Sequence, residues 1–182
     1  TWVLPASLGA SAILFNKANA TGAGYPYQAY VTTWGGLAFR SYNAVGAELF
    51  TIATAGGLVA VGTWTHLAFV RFGSTFTVYV KGVASGSATY SGYLPTHVFP
   101  MSIGAYSNGD APFSGHIDEF RFTKGAARYT ANFTPPTEAF PNSATEPVKS
   151  AYAATPTPLG TPATLAASIR QACGSAASPL AT

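Results

Sequence analysis

Charge is what this sequence has least of. Of 182 residues, 8% are Asp, Glu, Lys or Arg, against roughly 25% in an average soluble domain. The six acids are Glu48, Asp110, Asp118, Glu119, Glu138 and Glu146, and none forms the alternating acidic strand that some glycosidases use. Those enzymes need two carboxyl groups flanking the sugar bond, about 5–9.5 Å apart. Asp118 and Glu119 are consecutive, so on a strand they face opposite sides. The nine bases exceed the acids by three, yet only Arg121, Lys124 and Arg128 come close together. A nucleic-acid protein concentrates its positive charge on one face, so nucleic acid is not an expected partner.

Cysteine is also nearly absent. Cys173 stands alone, which excludes an internal disulfide. No histidine adjoins it, and it reads as a small buried hydrophobe rather than a nucleophile. No apolar run approaches the roughly 18 residues that span a bilayer, so membrane insertion is not expected. No basic stretch precedes the apolar Trp2–Pro5, so the start does not read as a signal peptide. Either the amino end has been processed or part of the chain lies before it.

Apolar and aromatic residues are abundant. Hydrophobic residues make up 48% and aromatics 14%, which excludes a disordered chain. The length fits one domain plus a tail. Thr75–Lys81 alternates with period two, Phe76, Val78 and Val80 pointing one way. Thr65–Phe72 before it is apolar on both faces, as in a strand at the middle of a sandwich. Gly73-Ser74 between them suits a two-residue II′ hairpin turn. Further strands are expected at 12–17, 27–33, 37–42, 48–53, 83–90, 101–106 and 115–123. Gly-rich turns separate them, and no amphipathic helix of useful length fits. This pattern predicts an all-β fold: an antiparallel two-sheet β-sandwich, or jelly roll, over residues 1–141.

From Asn142 to Thr182 the composition turns to Ala, Thr, Ser and Pro. One short helix fits there, with Thr161 as cap, Pro162 at its first position and Gly174 at its end. Leu165, Ile169 and Cys173 would form its apolar stripe. Such a segment buries little by itself. The expectation is a docking tail that lies against its own sandwich or a neighbouring subunit, with Leu165, Ile169 and Cys173 as assembly contacts.

Three segments carry a resemblance. They are Trp64–Arg71 with Val78–Val83, then Ile103–Tyr106 with Pro112–Arg121, then Thr123–Pro136. In this order they resemble laminin-G-like, concanavalin A-like jelly-roll domains. The ARYTANFTPP ending, Ala127–Pro136, is similar to the version found in virion proteins of tailed bacteriophages. The resemblance implies a non-enzymatic virion surface or structural protein: a capsid decoration, fibre or tail component. Its implied partners are other virion subunits, in a homo-oligomer, and host or environmental glycans; the implied location is the virion surface. A carbohydrate-binding receptor-recognition part of a tail fibre is the alternative, and a polysaccharide-degrading enzyme follows behind it. Members usually carry a further amino-terminal strand that runs into an apolar-Trp-Val-x-Pro stretch, of which only Trp2–Pro5 matches the end. An open ladder edge is therefore expected at the amino end, covered by the tail or by a neighbour.

No cofactor is expected. Ser107–Asp110 offers oxygens of the kind calcium prefers, with Asn108 and Asp110 as candidate ligands. Calcium takes six to eight oxygens and only one carboxylate is local, so a polar turn is preferred and calcium is the alternative. His66, His97 and His116 lack metal-ligand spacing and read as structural. Asp118 is expected on a face with Phe120 and Phe122, hydrogen-bonded there; Glu119 and Arg121 read as a same-face pair. Tyr25, Tyr27, Tyr30, Trp34, Tyr42 and Tyr106 lie at strand ends or in Gly-rich loops. Aromatics with polar tips suit flat sugar rings and protein partners alike, whereas most aromatics in such a chain fill the core. Trp34, Tyr25, Tyr27, Tyr42 and Tyr106 are the candidate carbohydrate-binding residues, with Trp34 beside Gly35-Gly36 as a loop-tip anchor.

Overall fold

The computed structural model describes residues 1–9, 12–18, 25–96, 98–140 and 149–150. They form strands and turns, with no helix among them. The strands are β1 (Trp2–Pro5), β2 (Ala12–Asn16), β3 (Gln28–Val31), β4 (Leu37–Tyr42), β5 (Glu48–Ala53) and β6 (Thr65–Phe72). After these come β7 (Thr75–Val80), β8 (Val83–Thr89), β9 (Ser102–Ile103), β10 (Gly115–Asp118), β11 (Ala126–Ala127) and β12 (Lys149–Ser150). Two five-stranded antiparallel sheets run in the orders β10-β1-β6-β7-β8 and β5-β4-β3-β2-β9. The expected sandwich is what the chain forms.

Alternation decides which side chains meet between the sheets. Phe76 and Val78 of β7 point inward to Leu37 and Phe39 of β4 and Phe50 and Ile52 of β5, all buried. Phe50 and Phe76 meet across the interface with ring centroids 4.3 Å apart and planes tilted by 37°. Each such ring contributes roughly 1.5–3 kcal/mol on burial. β6 lies in the middle of its sheet, as its two apolar faces predict. Phe72 pairs with Thr75, and Gly73 has φ 61°, so the β6–β7 turn opens on a left-handed glycine as expected.

The outer face of β6 and β7 is covered by the chain after β11. Phe133 donates its N–H to the Gly82 carbonyl at 2.9 Å, and Asn132 Oδ1 accepts the Ala84 N–H at 2.9 Å. Gly82, at φ 80°, leaves room that a Cβ would fill: it would lie 1.8 Å from the Phe133 carbonyl oxygen. Tyr129 and Phe133 stack face to face at 3.6 Å. His66 and Tyr79 present their rings to Phe133 at 5.6 and 5.5 Å. The Ala127–Pro136 ending thus packs as a strap over the sheet.

Three expectations need correction. β10 stops at Asp118 rather than Thr123, because Glu119 takes φ 50° and breaks the extended run. β9 is two residues long, ended by Gly104 at φ 78°. The amino-terminal strand is not an edge: β1 pairs with β10 on one side and with β6 on the other. Of the tail, Lys149–Ser150 pairs with Ala126–Ala127; Leu165, Ile169 and Cys173 lie outside the described residues.

Candidate functional site

The outward side of the β5-β4-β3-β2-β9 sheet is polar and aromatic. Gln28 of β3 pairs with Arg40 of β4, and Arg40 pairs with Thr51 of β5. The ladder therefore sets Gln28, Arg40 and Thr51 in one row across three strands. Gln28 is 4% exposed, and its Nε2 donates to the Tyr106 hydroxyl. The Arg40 guanidinium lies over the Tyr30 ring, 5.1 Å from its centroid. Neither Arg40 Nε nor Thr51 Oγ1 has a hydrogen-bond partner, although both atoms are buried. Buried donors left unmatched cost free energy; the Arg40 and Thr51 side chains as a whole are half-exposed.

Tyrosines frame this row. Tyr25 meets Tyr42 edge-on at 5.4 Å and Tyr106 at 6.5 Å. Tyr42 donates its hydroxyl to Glu48 Oε2 at 3.0 Å. Burial raises the hydroxyl pKa values of Tyr30, Tyr42 and Tyr106, so all three are neutral donors at physiological pH. Tyr106 is fixed by the turn after it. Its N–H donates to the Asp110 carbonyl at 2.9 Å, and its own carbonyl accepts from Gly109. Asn108 donates to the Asp110 carboxylate at 2.8 Å and accepts the Asp110 N–H at 3.3 Å. The two candidate calcium ligands thus bond to each other as a polar turn that positions Tyr106.

The structure brings together Tyr25, Tyr42 and Tyr106. It sets the other two candidate residues elsewhere. Tyr27 turns to the interior side, against Phe15 at 6.3 Å and Phe122 at 6.4 Å. Trp34 is 80% exposed at the far end of the β3–β4 hairpin. Its carbonyl accepts the Gly57 N–H at 2.7 Å. The residues that the candidate set lacked are Gln28, Arg40 and Thr51. Their signal was present in the alternation: Ala29, Val31, Leu37 and Phe39 point inward, which leaves Gln28, Tyr30, Arg40 and Tyr42 together outside.

His66 is 1% exposed among Trp2, Tyr129 and Phe133. Burial drives its pKa down to about 4, with Arg121 acting in the same direction. His116 is exposed beside Trp64, and His97 lies outside the described residues. Asp118 is exposed and accepts the Glu119 N–H at 2.8 Å, not on a face with Phe120 as expected. The left-handed turn at Glu119 is the reason. Glu119 accepts the Phe140 N–H at 2.6 Å while Arg121 lies over the Phe140 ring at 3.8 Å, so each meets Phe140 and no ion pair forms between them.

Two stacked antiparallel five-stranded sheets are the layout of a lectin-like jelly roll. The chain belongs to the concanavalin A-like lectin/glucanases superfamily, whose Laminin_G_3 profile matches residues 1–128. Among solved structures it is similar to the CBM40 of Ruminococcus gnavus IT-sialidase bound to alpha2,3 sialyllactose. Identity is 15% and the TM-score 0.51, over 63% of this chain and 67% of that one. A second structure of that CBM40 aligns over the same shares at 16% identity and the same TM-score. At this identity the likeness is one of fold. No curated protein matches the chain in sequence.

Proposed function

We propose that this chain is a carbohydrate-binding domain that holds glycans on its tyrosine face without cleaving them. The observation that carries the reading is the row Gln28–Arg40–Thr51, with its unmatched donors beside Tyr25, Tyr42 and Tyr106. A sugar offers hydroxyl oxygens to such donors and apolar C–H faces to such rings. Arg40 adds a preference for a carboxylate-bearing sugar, because the guanidinium fork matches two carboxylate oxygens. The sandwich shared with a CBM40 bound to sialyllactose supports this reading.

Cleavage is not part of the proposal. Glu48 is held by Tyr42 and Asp110 by Asn108, so the acids of these elements serve the rings and the turn. Glycosidic chemistry needs a dedicated carboxyl pair. The placement on a virion surface, in a homo-oligomer beside other virion subunits, rests on the resemblance of the Ala127–Pro136 ending. Several copies would add weak sugar contacts into useful avidity there.

A glycan array followed by calorimetry tests the reading. The protein should retain sialylated or uronate-bearing glycans, and Arg40→Ala should weaken that binding about tenfold or more. An array without a binder, or full affinity in Arg40→Ala, contradicts it. Host surface polysaccharide incubated with the protein should keep its length.

A further inference from the structure

We infer that Asn108 is a site of spontaneous self-modification: its side chain closes on the Gly109 nitrogen, and the aspartyl or isoaspartyl turn that results releases Tyr106 from Gln28. The consequence for sugars rests on the glycan-binding reading above, and it makes this turn a timer on the tyrosine face. Six asparagines occur in the sequence, and Asn108 alone precedes a glycine. Ser107, Asn108, Gly109 and Asp110 are four consecutive exposed residues. Gly109 has φ 88°, and no heavy atom beyond its chain neighbours lies within 4 Å of where a Cβ would stand. With no side chain of its own, Gly109 leaves its nitrogen open to the Asn108 carboxamide. Asn16, by contrast, is buried and precedes Lys17.

The Asn108 carboxamide is already drawn over the turn. Its Oδ1 accepts the Asp110 N–H at 3.3 Å, which withdraws electrons from Cγ, and its Nδ2 donates to Asp110 Oδ2 at 2.8 Å. The Gly109 N–H donates to the Tyr106 carbonyl at 2.9 Å and must leave it for the step to occur. A turn bond among exposed residues opens at little cost. Gly109 N then loses its proton and bonds to Asn108 Cγ; the Cγ–Nδ2 bond breaks, and ammonia leaves with that proton. The cyclic imide next takes up water. Opening at Cγ gives aspartate, whereas opening at the main-chain carbonyl gives isoaspartate, with the backbone rerouted through Cβ and Cγ. The sum is one water gained and one ammonia lost, with no change of oxidation state.

Both products disturb the turn that seats Tyr106. The Tyr106 N–H donates to the Asp110 carbonyl at 2.9 Å. Beyond it the chain is pinned by Ile13 N–H to the Ala111 carbonyl at 3.1 Å and by Phe113 N–H to the Gly104 carbonyl at 2.7 Å. Ala111 itself stands at φ 49°, a left-handed value that is costly for alanine. An added backbone carbon therefore has to be taken up between Tyr106 and Asp110. In the aspartate form a carboxylate replaces the donor that faced Asp110 Oδ2, and attraction turns to repulsion. Either way the Tyr106 hydroxyl, which accepts from Gln28 Nε2, is drawn off its partner. The new negative charge also opposes an acidic sugar on that face.

Ageing the full chain at mildly alkaline pH and body temperature, followed by peptide mapping with isoaspartate detection, tests the inference. The Asn108 peptide should gain the mass of an amide exchanged for an acid, faster as pH rises, while Asn16, Asn43 and Asn132 stay intact. The NMR signals of the Gln28 side-chain amide and of Tyr106 should move in step with conversion. Asn108→Ser, which cannot form the imide, should show the same mass and the same signals fresh and aged. Binding of an array-selected acidic glycan should fall about tenfold on ageing the wild type, and Asn108→Asp should show a loss without ageing. An Asn108 that stays intact overturns the inference, as does conversion that leaves the Gln28 and Tyr106 signals in place. Fresh protein that holds no glycan overturns the reading of the face instead, and mass and NMR still decide the modification.

Discussion

Arg40 lies over Tyr30, its guanidinium carbon 5.1 Å from the ring centroid, with a buried Nε that meets no acceptor. The ring holds the cation in place without neutralising it. On the proposed reading, that arrangement presents an oriented and unspent positive charge to a ligand.

Arg40→Lys should fail to restore binding that Arg40→Ala loses, because an ammonium cannot reproduce the planar fork. Binding of an acidic glycan should also weaken on going from about 50 mM to about 500 mM NaCl, since partly exposed charge pairs are screened. Calorimetry at the two salt concentrations checks both points. Equal affinity in Arg40→Lys would place the recognition elsewhere.

Tyr106→Phe removes the acceptor of Gln28 Nε2 on a side chain that is 4% exposed. Leaving that amide unmatched should cost about 1–3 kcal/mol of stability. Denaturant melts would read this, and Gln28→Leu in the same background should recover part of it. The ring remains in Tyr106→Phe, so sugar binding should fall less than in Tyr106→Ala.

His66 sets a pH dependence. Its pKa is about 4 in the folded chain against 6.5 ordinarily, so the unfolded chain binds more protons between those values. The stability linked to His66 is full above pH 6.5 and is lost as pH falls toward 4. Thermal melts across this window should drop in the wild type, and the drop should be smaller in His66→Leu. A melting temperature that rises on acidification would contradict the burial argument.

The strap can be tested at two points. Gly82→Ala forces a side chain into a left-handed residue and against the Phe133 carbonyl, and should cost at least about 2 kcal/mol. Phe133→Ala removes the stacking partner of Tyr129 and the ring beside His66 and Tyr79; about 2–4 kcal/mol should be lost. Both are read by equilibrium unfolding. Glycan binding in the folded fraction should persist, because the strap covers the sheet opposite the tyrosine face.

The sandwich was legible in residues such as Phe76, Val78 and Val80, where strict alternation leaves one solution for a half-buried strand. The ends of elements were not: Glu119 takes a left-handed conformation that glycine or asparagine would have announced, so β10 reads five residues too long. The site was half legible. Tyr25, Tyr42 and Tyr106 stand out as aromatics at strand ends, but they are brought together by strand pairing at a distance. Tyr27 directly precedes outward-facing Gln28 and so turns inward, whereas Tyr25, of the same parity, lies before Pro26 and outside β3, where strand alternation no longer fixes its direction. Gln28, Arg40 and Thr51 are unremarkable one by one. They become a row only through the register of three strands, which no single segment encodes.

Backbone and side-chain NMR during titration with sialyllactose tests the central claim most directly. The account predicts saturable shifts at the Arg40 Nε–H, the Gln28 and Tyr106 signals and the neighbouring amides of β3, β4 and β5, with the Trp34 turn and the strap unmoved. Shifts confined to Trp34, or none under conditions where an array-selected acidic glycan also leaves Arg40 unchanged, would contradict it.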